Sequence, residues 1–506
     1  MRSRRVPATF EIVLSTLLFK GGKMSALNQI QHIVVLMLEN RSFDSMLGKL
    51  YPKSSDFDGL SGSETNFDAA GVAYPVHNSA GTSDATMSIP APDPGESWTD
   101  INMQLFGTSA PQSGAKPDMS GFVKNYQAQA AHSPGVYDPG SVMHYFTPEQ
   151  VPVISKLARQ FAVCDRWFAS APCQTWPNRF FVHTATANGY ENNSPVHFPY
   201  RMQTIYNRID DAQLPGGWKI YFHDVPQSIT LEKLSLSLSR FRLFDEFLTD
   251  AKTGDLPAYS FIEPRYFADV SLPNDQHPPH VVTLGEQLIA DVYNAVRSGP
   301  AWTRTLLVIT YDEHGGCYDH VPPPPARPPE PKRPETAFDF SRYGVRVPAV
   351  IVSPYVRLGT VLRPQSDTPF DHTSIIATLR KRFPTLGPPL TARDAVAPDL
   401  SIALTLENPD NLGPDWLDTT PYSASPADVA RARIAPPNGM QAALLEFTAN
   451  IQNGVTGAAL EARTFIGQQM QDLSQGLNGV PDGVAKDVAS SITYIKSRLG
   501  ALFRTV

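Results

Sequence analysis

Three uninterrupted apolar runs organise the first four fifths of the chain: residues 32–38 (HIVVLML), 305–310 (TLLVIT) and 347–352 (VPAVIV). They are rich in β-branched residues and show no alternation, which predicts buried strands of a parallel sheet. Each stops abruptly, the first at Glu39-Asn40, the second at Tyr311-Asp312-Glu313 and the third at Ser353-Pro354. Helical spacing covers 282–297 and 373–382. Strands alternating with helices predict an α/β fold, a mostly parallel central sheet flanked by helices. Residues 54–118 are rich in Ser, Gly, Asp and Pro with weak periodicity, and read as long loops at the sheet's edge. The stretch 322–334 carries eight prolines in thirteen residues. It cannot hold a helix or a central strand and reads as a stiff surface loop.

The pattern changes near residue 426. Val484, Val488, Ile492, Ile495, Leu499 and Leu502 follow amphipathic-helix spacing, and Leu444, Phe447 and Ile451 begin another such face. The expected organisation is a tail over 1–27, one large α/β unit over 28–425 and a helical region over 426–506. That last region reads as an appendage packed on the core, with a membrane- or partner-binding module as the alternative.

Composition narrows the classes. The 506 residues are 42% hydrophobic and 18% charged, with a net charge of −7, which argues against a nucleic-acid binder driven by bulk charge. No run of about 20 apolar residues is present, so no transmembrane helix is expected. Arg2, Arg4 and Arg5 precede an apolar run over 12–19 that superficially resembles a signal peptide. Glu11 abuts that run and no small-residue cleavage site follows, so Met24 stands as an alternative start. Three cysteines, Cys164, Cys173 and Cys317, are too few and odd in number for a disulfide framework and read as small buried apolar residues.

The candidate chemistry sits at strand ends, where open α/β sheets place ligand sites. Glu39-Asn40 and Asp312-Glu313 both follow buried strands, and Gly315-Gly316 permits close backbone approach. Carboxylates gathered in a buried place call for a cation. Oxygen donors of this kind suit Ca²⁺, Mg²⁺ or Mn²⁺ in preference to Zn²⁺. Pro177 suits the first turn of a helix and places Thr175 just ahead of the N-terminus, where an anion is favoured. Thr175 is then either a nucleophile or an N-cap. Histidines cluster in short motifs: His277-Pro-Pro-His280, His314, Asp319-His320 and Asp371-His372. They offer phosphate contacts or a proton for a leaving alkoxide, and Asp371-His372 also reads as a cap on the helix that follows. His183, His197 and His223 read as structural.

Seven ordered stretches resemble the bacterial and plant phosphoesterase family that includes non-specific phospholipase C and related acid phosphatases. They are HIVVLMLENRSFDSMLG (32–48), DPGESWTDINMQLFG (93–107), FAVCDRWFASAPCQTWPNRFFVHTATANG (161–189), NDQHPPH (274–280), TYDEHGGCYDHVPPP (310–324), GVRVPAVIVSPYV (344–356) and DHTSIIATL (371–379). The resemblance implies an alkaline-phosphatase-like core and phosphate-ester hydrolysis through a covalent enzyme intermediate. It implies Glu39, Asn40, Asp312 and Glu313, with Thr175, as ligands of one divalent metal ion, and Thr175 as nucleophile. His277 or His320 is expected to protonate the leaving alcohol, and Asn178, His280 and His372 to contact substrate. Three departures stand out: Glu96 where the DPG motif often continues with His, Val281 where Asp usually follows the histidine motif, and Cys317 for a frequent aromatic.

The expected substrate is a phospholipid such as phosphatidylcholine, cleaved to diacylglycerol and phosphorylated head group. Peripheral membrane contact would favour a zwitterionic or uncharged surface. The alternatives are a broad acid phosphatase on small phosphomonoesters and a catalytically silent membrane- or partner-binding protein.

Overall fold

A computed structural model describes residues 25–444 apart from 131–136, 269–270, 332–337, 420–421, 423, 435–437 and 439. Ten strands are described: β1 (His32–Leu38), β2 (Thr65–Phe67), β3 (Ala73–Pro75), β4 (Ala162–Cys164), β5 (Trp218–Phe222), β6 (Phe241–Leu243), β7 (Tyr259–Ile262), β8 (Thr305–Tyr311), β9 (Ala349–Val352) and β10 (Thr360–Leu362). Eight form one sheet in the order β10-β4-β9-β8-β1-β7-β5-β6. Pairing is parallel across β8-β1-β7-β5-β6 and between β10 and β4.

The exception is β9, which runs antiparallel to both β4 and β8. The apolar run at 347–352 predicted a parallel strand. A run buried on both faces looks the same in either direction, and the connection sets the orientation. Residues 322–331, which form no helix or strand, belong to the connection that brings β9 back beside β8.

Every residue of β8 is buried, as are six of the seven in β1, so these central strands form the spine of the core. The helices Val282–Ser298 and Thr373–Arg382 fall where the spacing predicts them. The three cysteines are free and buried. No helix among the described residues is long and apolar enough to cross a membrane.

Residues 54–118 are more ordered than the sequence pattern suggests. They contain the β2–β3 hairpin and the helices Asp84–Met87 and Trp98–Phe106. The second helix opens on a reciprocal capping box between Ser97 and Asp100. Ile101 and Leu105 pack with Phe122, Val123, Tyr126 and Tyr318 in a satellite core. Strands of three residues and a nine-residue helix are too short for periodicity to show.

Leu27, the last residue of the stretch expected as a tail, is buried in the main core. The helix Pro426–Ile434 packs Val429 and Ala432 against Ala268, Leu272 and Leu284, and Leu444 is buried in the main core. Phe447, Ile451 and the amphipathic stretch 484–502 lie outside the described residues.

Candidate active site

Register brings the two acidic pairs together. Parallel pairing of β1 with β8 sets Leu38 opposite Tyr311, so Glu39-Asn40 and Asp312-Glu313 leave adjacent strand ends side by side. The Asp312 N–H donates to Leu38 O (3.2 Å), and the Asn40 N–H donates to Asp312 Oδ1 (3.1 Å). Gly315 lies so close that a Cβ there would stand 2.2 Å from Asn40 O, and its φ is +59°. Glycine is therefore required at this approach.

Thr175 is the first residue of the helix Thr175–Thr184, and Gln174 holds the N-cap position without a side-chain capping bond. The N-cap reading of Thr175 is thereby set aside. Its hydroxyl is buried and faces Asn40 Oδ1 at 3.4 Å. The Trp176 N–H, one of the helix-terminal donors, is already taken by Asn193 Oδ1 (2.8 Å).

The Asn40 amide is oriented by its surroundings. Nδ2 donates to Glu313 Oε1 (2.7 Å) and to Glu96 Oε1 (2.5 Å), which turns Oδ1 toward Thr175. Arg179, one turn beyond Thr175 on the same helix face, donates from Nε to Asp312 Oδ2 (3.1 Å) and pairs with Glu39 Oε1 (3.2 Å).

The electrostatics show a surplus of negative charge. Burial pushes the Glu39 carboxyl well above its ordinary value, and the Asp312 charge adds to the shift. Burial, then Glu96 and Asp312, does the same to Glu313, and burial raises Asp312. Glu39 Oε2 is buried without a hydrogen-bond partner. Three buried carboxylates, two of them paired with the Arg179 guanidinium, fit a further hard cation, and the oxygen donors of Glu39, Asn40, Asp312, Glu313 and Thr175 suit it chemically. Arg179 already bridges Glu39 and Asp312, a charge the sequence reading did not include. Among the described residues, the tight groups of three ligand-type side chains are Asp93–Glu96–His277 and Asp44–Asp319–His320.

His277 is fully buried, with Nδ1 2.7 Å from Pro278 O and Nε2 3.2 Å from Glu96 Oε1. Burial alone would discharge the ring, but the carboxylates of Asp93 and Glu96 outweigh it and hold its pKa well above the ordinary value. His280 binds Asp275 Oδ1 through Nδ1 (2.7 Å). Asp275 thus supplies the orienting carboxylate whose usual place is taken by Val281.

Three of the expected site residues are held in other contacts. His320 binds Asp44 Oδ2 (2.6 Å) and Asp58 Oδ1 (3.1 Å), with Lys53 at 2.8 Å. None of its described bonds reaches Thr175 or the acidic pairs, because Asp44 draws the ring into a network with Arg346 and Asp319. His372 accepts from Trp167 Nε1 (3.3 Å) and, from Nε2, donates to Asp312 O (2.6 Å). Burial lowers its pKa to about 4, so it is a neutral ring that braces Asp312, with both nitrogens committed. Asn178 accepts from the Ala171 N–H (3.0 Å) and donates to Cys173 O (2.8 Å), which locks the turn leading to Thr175. Asp371 does cap the following helix, accepting from the Thr373 N–H (3.2 Å). His314 is likewise structural, with Nε2 against Gln104 Oε1 (2.7 Å).

Sequence reasoning missed Arg179, Glu96 as a site member, and Asp275. The first was available from its four-residue spacing to Thr175, and the third from its place two residues before His277. Glu96 was visible only as a departure from a motif.

A buried hydroxyl, an oriented amide, clustered carboxylates and an imidazole flanked by carboxylates thus meet at the ends of adjacent strands. The family comparison agrees with the geometry: the chain belongs to the Phosphoesterase family, whose model matches residues 30–385. Non-specific phospholipase C1 of Arabidopsis thaliana is 40% identical over 382 residues, covering 73% of this chain and 69% of that protein. Non-specific phospholipase C6 of the same plant is 42% identical, covering 73% and 71%. Phospholipase C A of Mycobacterium tuberculosis (strain ATCC 25618 / H37Rv) is 28% identical, covering 76% and 79%. A solved alkaline phosphatase superfamily protein from Vibrio parahaemolyticus overlaps 49% of this chain and 63% of its own at a TM-score of 0.30 and 9% identity, too weak a likeness to bear on the site.

Proposed function

We propose that this chain is a phospholipase C-type phosphoesterase that cleaves the glycerol–phosphate bond of phospholipids such as phosphatidylcholine. The observation that carries the reading is the buried Thr175 hydroxyl facing Asn40 Oδ1 at the head of its helix. The similarity to phospholipases C from plants and a bacterium supports the substrate class.

Glu39, Asn40, Asp312, Glu313 and Thr175 would hold one divalent cation, Ca²⁺, Mg²⁺ or Mn²⁺ before Zn²⁺ given the oxygen donors. When bound, such a cation helps a hydroxyl release its proton to water and offsets charge on phosphoryl oxygens. Thr175 Oγ1 attacks phosphorus, and the bond to the glyceride oxygen breaks. His277 gives its Nε2 proton to that oxygen, releasing diacylglycerol. Thr175 then carries the phosphorylated head group. Water attacks that phosphorus, returns a proton to His277 and frees the Thr175 oxygen.

The test is diacylglycerol release from phosphatidylcholine vesicles by wild type and Thr175→Ala. The expected result is release by wild type and a loss of about a thousandfold or more in the variant. Undiminished release by the variant would remove Thr175 as nucleophile. Turnover of soluble monoesters without any diacylglycerol release would favour an acid phosphatase.

A further inference from the structure

Glu96 sits where the family motif often carries a histidine, and its carboxylate touches two functional groups at once. Its Oε1 accepts from Asn40 Nδ2 at 2.5 Å and lies 3.2 Å from His277 Nε2. The side chain is almost fully buried, on the turn that precedes the helix Trp98–Phe106. Backbone contacts hold the neighbouring elements. Gln104 Nε2 donates to Gly95 O (2.8 Å), and Arg41 Nε donates to Gln276 O (2.7 Å) beside His277.

We propose that Glu96 is a positioning residue that couples the nucleophile side of the site to the proton donor, by orienting the Asn40 amide and aiming His277 Nε2. This inference rests on the phospholipase C-type reading above. Two consequences follow from the geometry. With carboxylates of Glu96 and Glu313 both on the NH₂ side of Asn40, only the amide oxygen can face Thr175. His277 Nδ1 must carry hydrogen to meet the Pro278 carbonyl, so Nε2 is the nitrogen that serves the substrate, and Glu96 is the charge beside it. In the reaction, that Nε2–H bond breaks as the glyceride oxygen takes the proton and its bond to phosphorus breaks. Glu96 itself exchanges no proton.

A positioning role of this kind predicts dependence on the leaving group. An alkoxide needs protonation to depart, whereas a nitrophenolate does not. Glu96→Gln keeps the shape and an acceptor for Asn40 but removes the charge beside His277. With the full chain and divalent cation, Glu96→Gln should lower kcat on phosphatidylcholine in mixed micelles by about fiftyfold and on p-nitrophenyl phosphorylcholine by only about fivefold, with KM changed by about twofold or less. Glu96→His, which changes the shape at Asn40 as well as removing the negative charge, should lower turnover of both esters and still lower it more on phosphatidylcholine, and Glu96→Asp should restore the wild-type ratio of the two rates. Equal losses on both esters, or no loss on either, in Glu96→Gln would overturn the role given to Glu96. A wild-type protein that cleaves neither ester would end the phospholipase C-type reading and this inference with it.

Discussion

At the scale of single residues, the two acidic pairs were legible because strand ends announce themselves. An apolar run that halts at a carboxylate leaves that carboxylate at the carboxyl end of its strand, and parallel register does the rest. The contacts of His320, His372 and Asn178 were not legible, because a sequence does not say where a side chain points. His320 illustrates the cost. Burial opposes its charge, but bonds to Asp44 and Asp58 hold its pKa up at about 9 against an ordinary 6.5. A pKa raised on folding stabilises the fold fully below the ordinary value, and the benefit fades as pH rises through the folded value. His320→Gln should therefore lower stability by roughly 2 kcal/mol near pH 6 and by little near pH 9.5, as denaturant unfolding would read. Its turnover on phosphatidylcholine should stay within about threefold of wild type, since the ring contacts none of the reacting groups. A collapse of turnover with unchanged stability would return His320 to the reaction.

At the scale of elements, Thr175 is placed by three devices: the turn locked by Asn178, the helix start at Thr175, and Arg179 tying that helix to both acidic pairs. The Asn178 lock depends on four side chain–backbone bonds to residues 171–174. Asn178→Ala should cost about 2–3 kcal/mol and lower kcat more than it raises KM, as thermal unfolding and kinetics would show. A variant as stable and active as wild type would contradict the lock. Gly315→Ala should fold poorly or lose nearly all turnover, because its Cβ would collide with the Asn40 carbonyl at 2.2 Å. The value of Gly315-Gly316 was readable from sequence, since paired glycines beside an acidic pair signal close approach. The helix Trp98–Phe106 was not recognised, although the Ser97–Asp100 capping box marks its start. The orientation of β9 depends on long-range pairing that no local pattern encodes.

For the whole molecule, one sheet gathers residues from widely separated segments at the carboxyl ends of its central strands. Glu39, Glu96, Thr175, His277 and Asp312 come from five stretches of chain; strand register sets Glu39 beside Asp312, and side-chain contacts join Thr175, Glu96 and His277 to them through Asn40. The charge surplus there links function to stability. With Glu39, Asp312 and Glu313 all pushed upward by burial, chelation should lower the melting temperature as well as abolish hydrolysis, and Ca²⁺, Mg²⁺ or Mn²⁺ should restore both. Recovery with Zn²⁺ alone would contradict the oxygen-donor set. The most direct measurement of the central claim is acid-quenched peptide mass spectrometry after rapid mixing with phosphatidylcholine and divalent cation. Phosphocholine attached to Thr175, absent from Thr175→Ala, is the predicted result. Diacylglycerol release during the same mixing, with Thr175 unmodified in every quenched sample and release undiminished in Thr175→Ala, would contradict it.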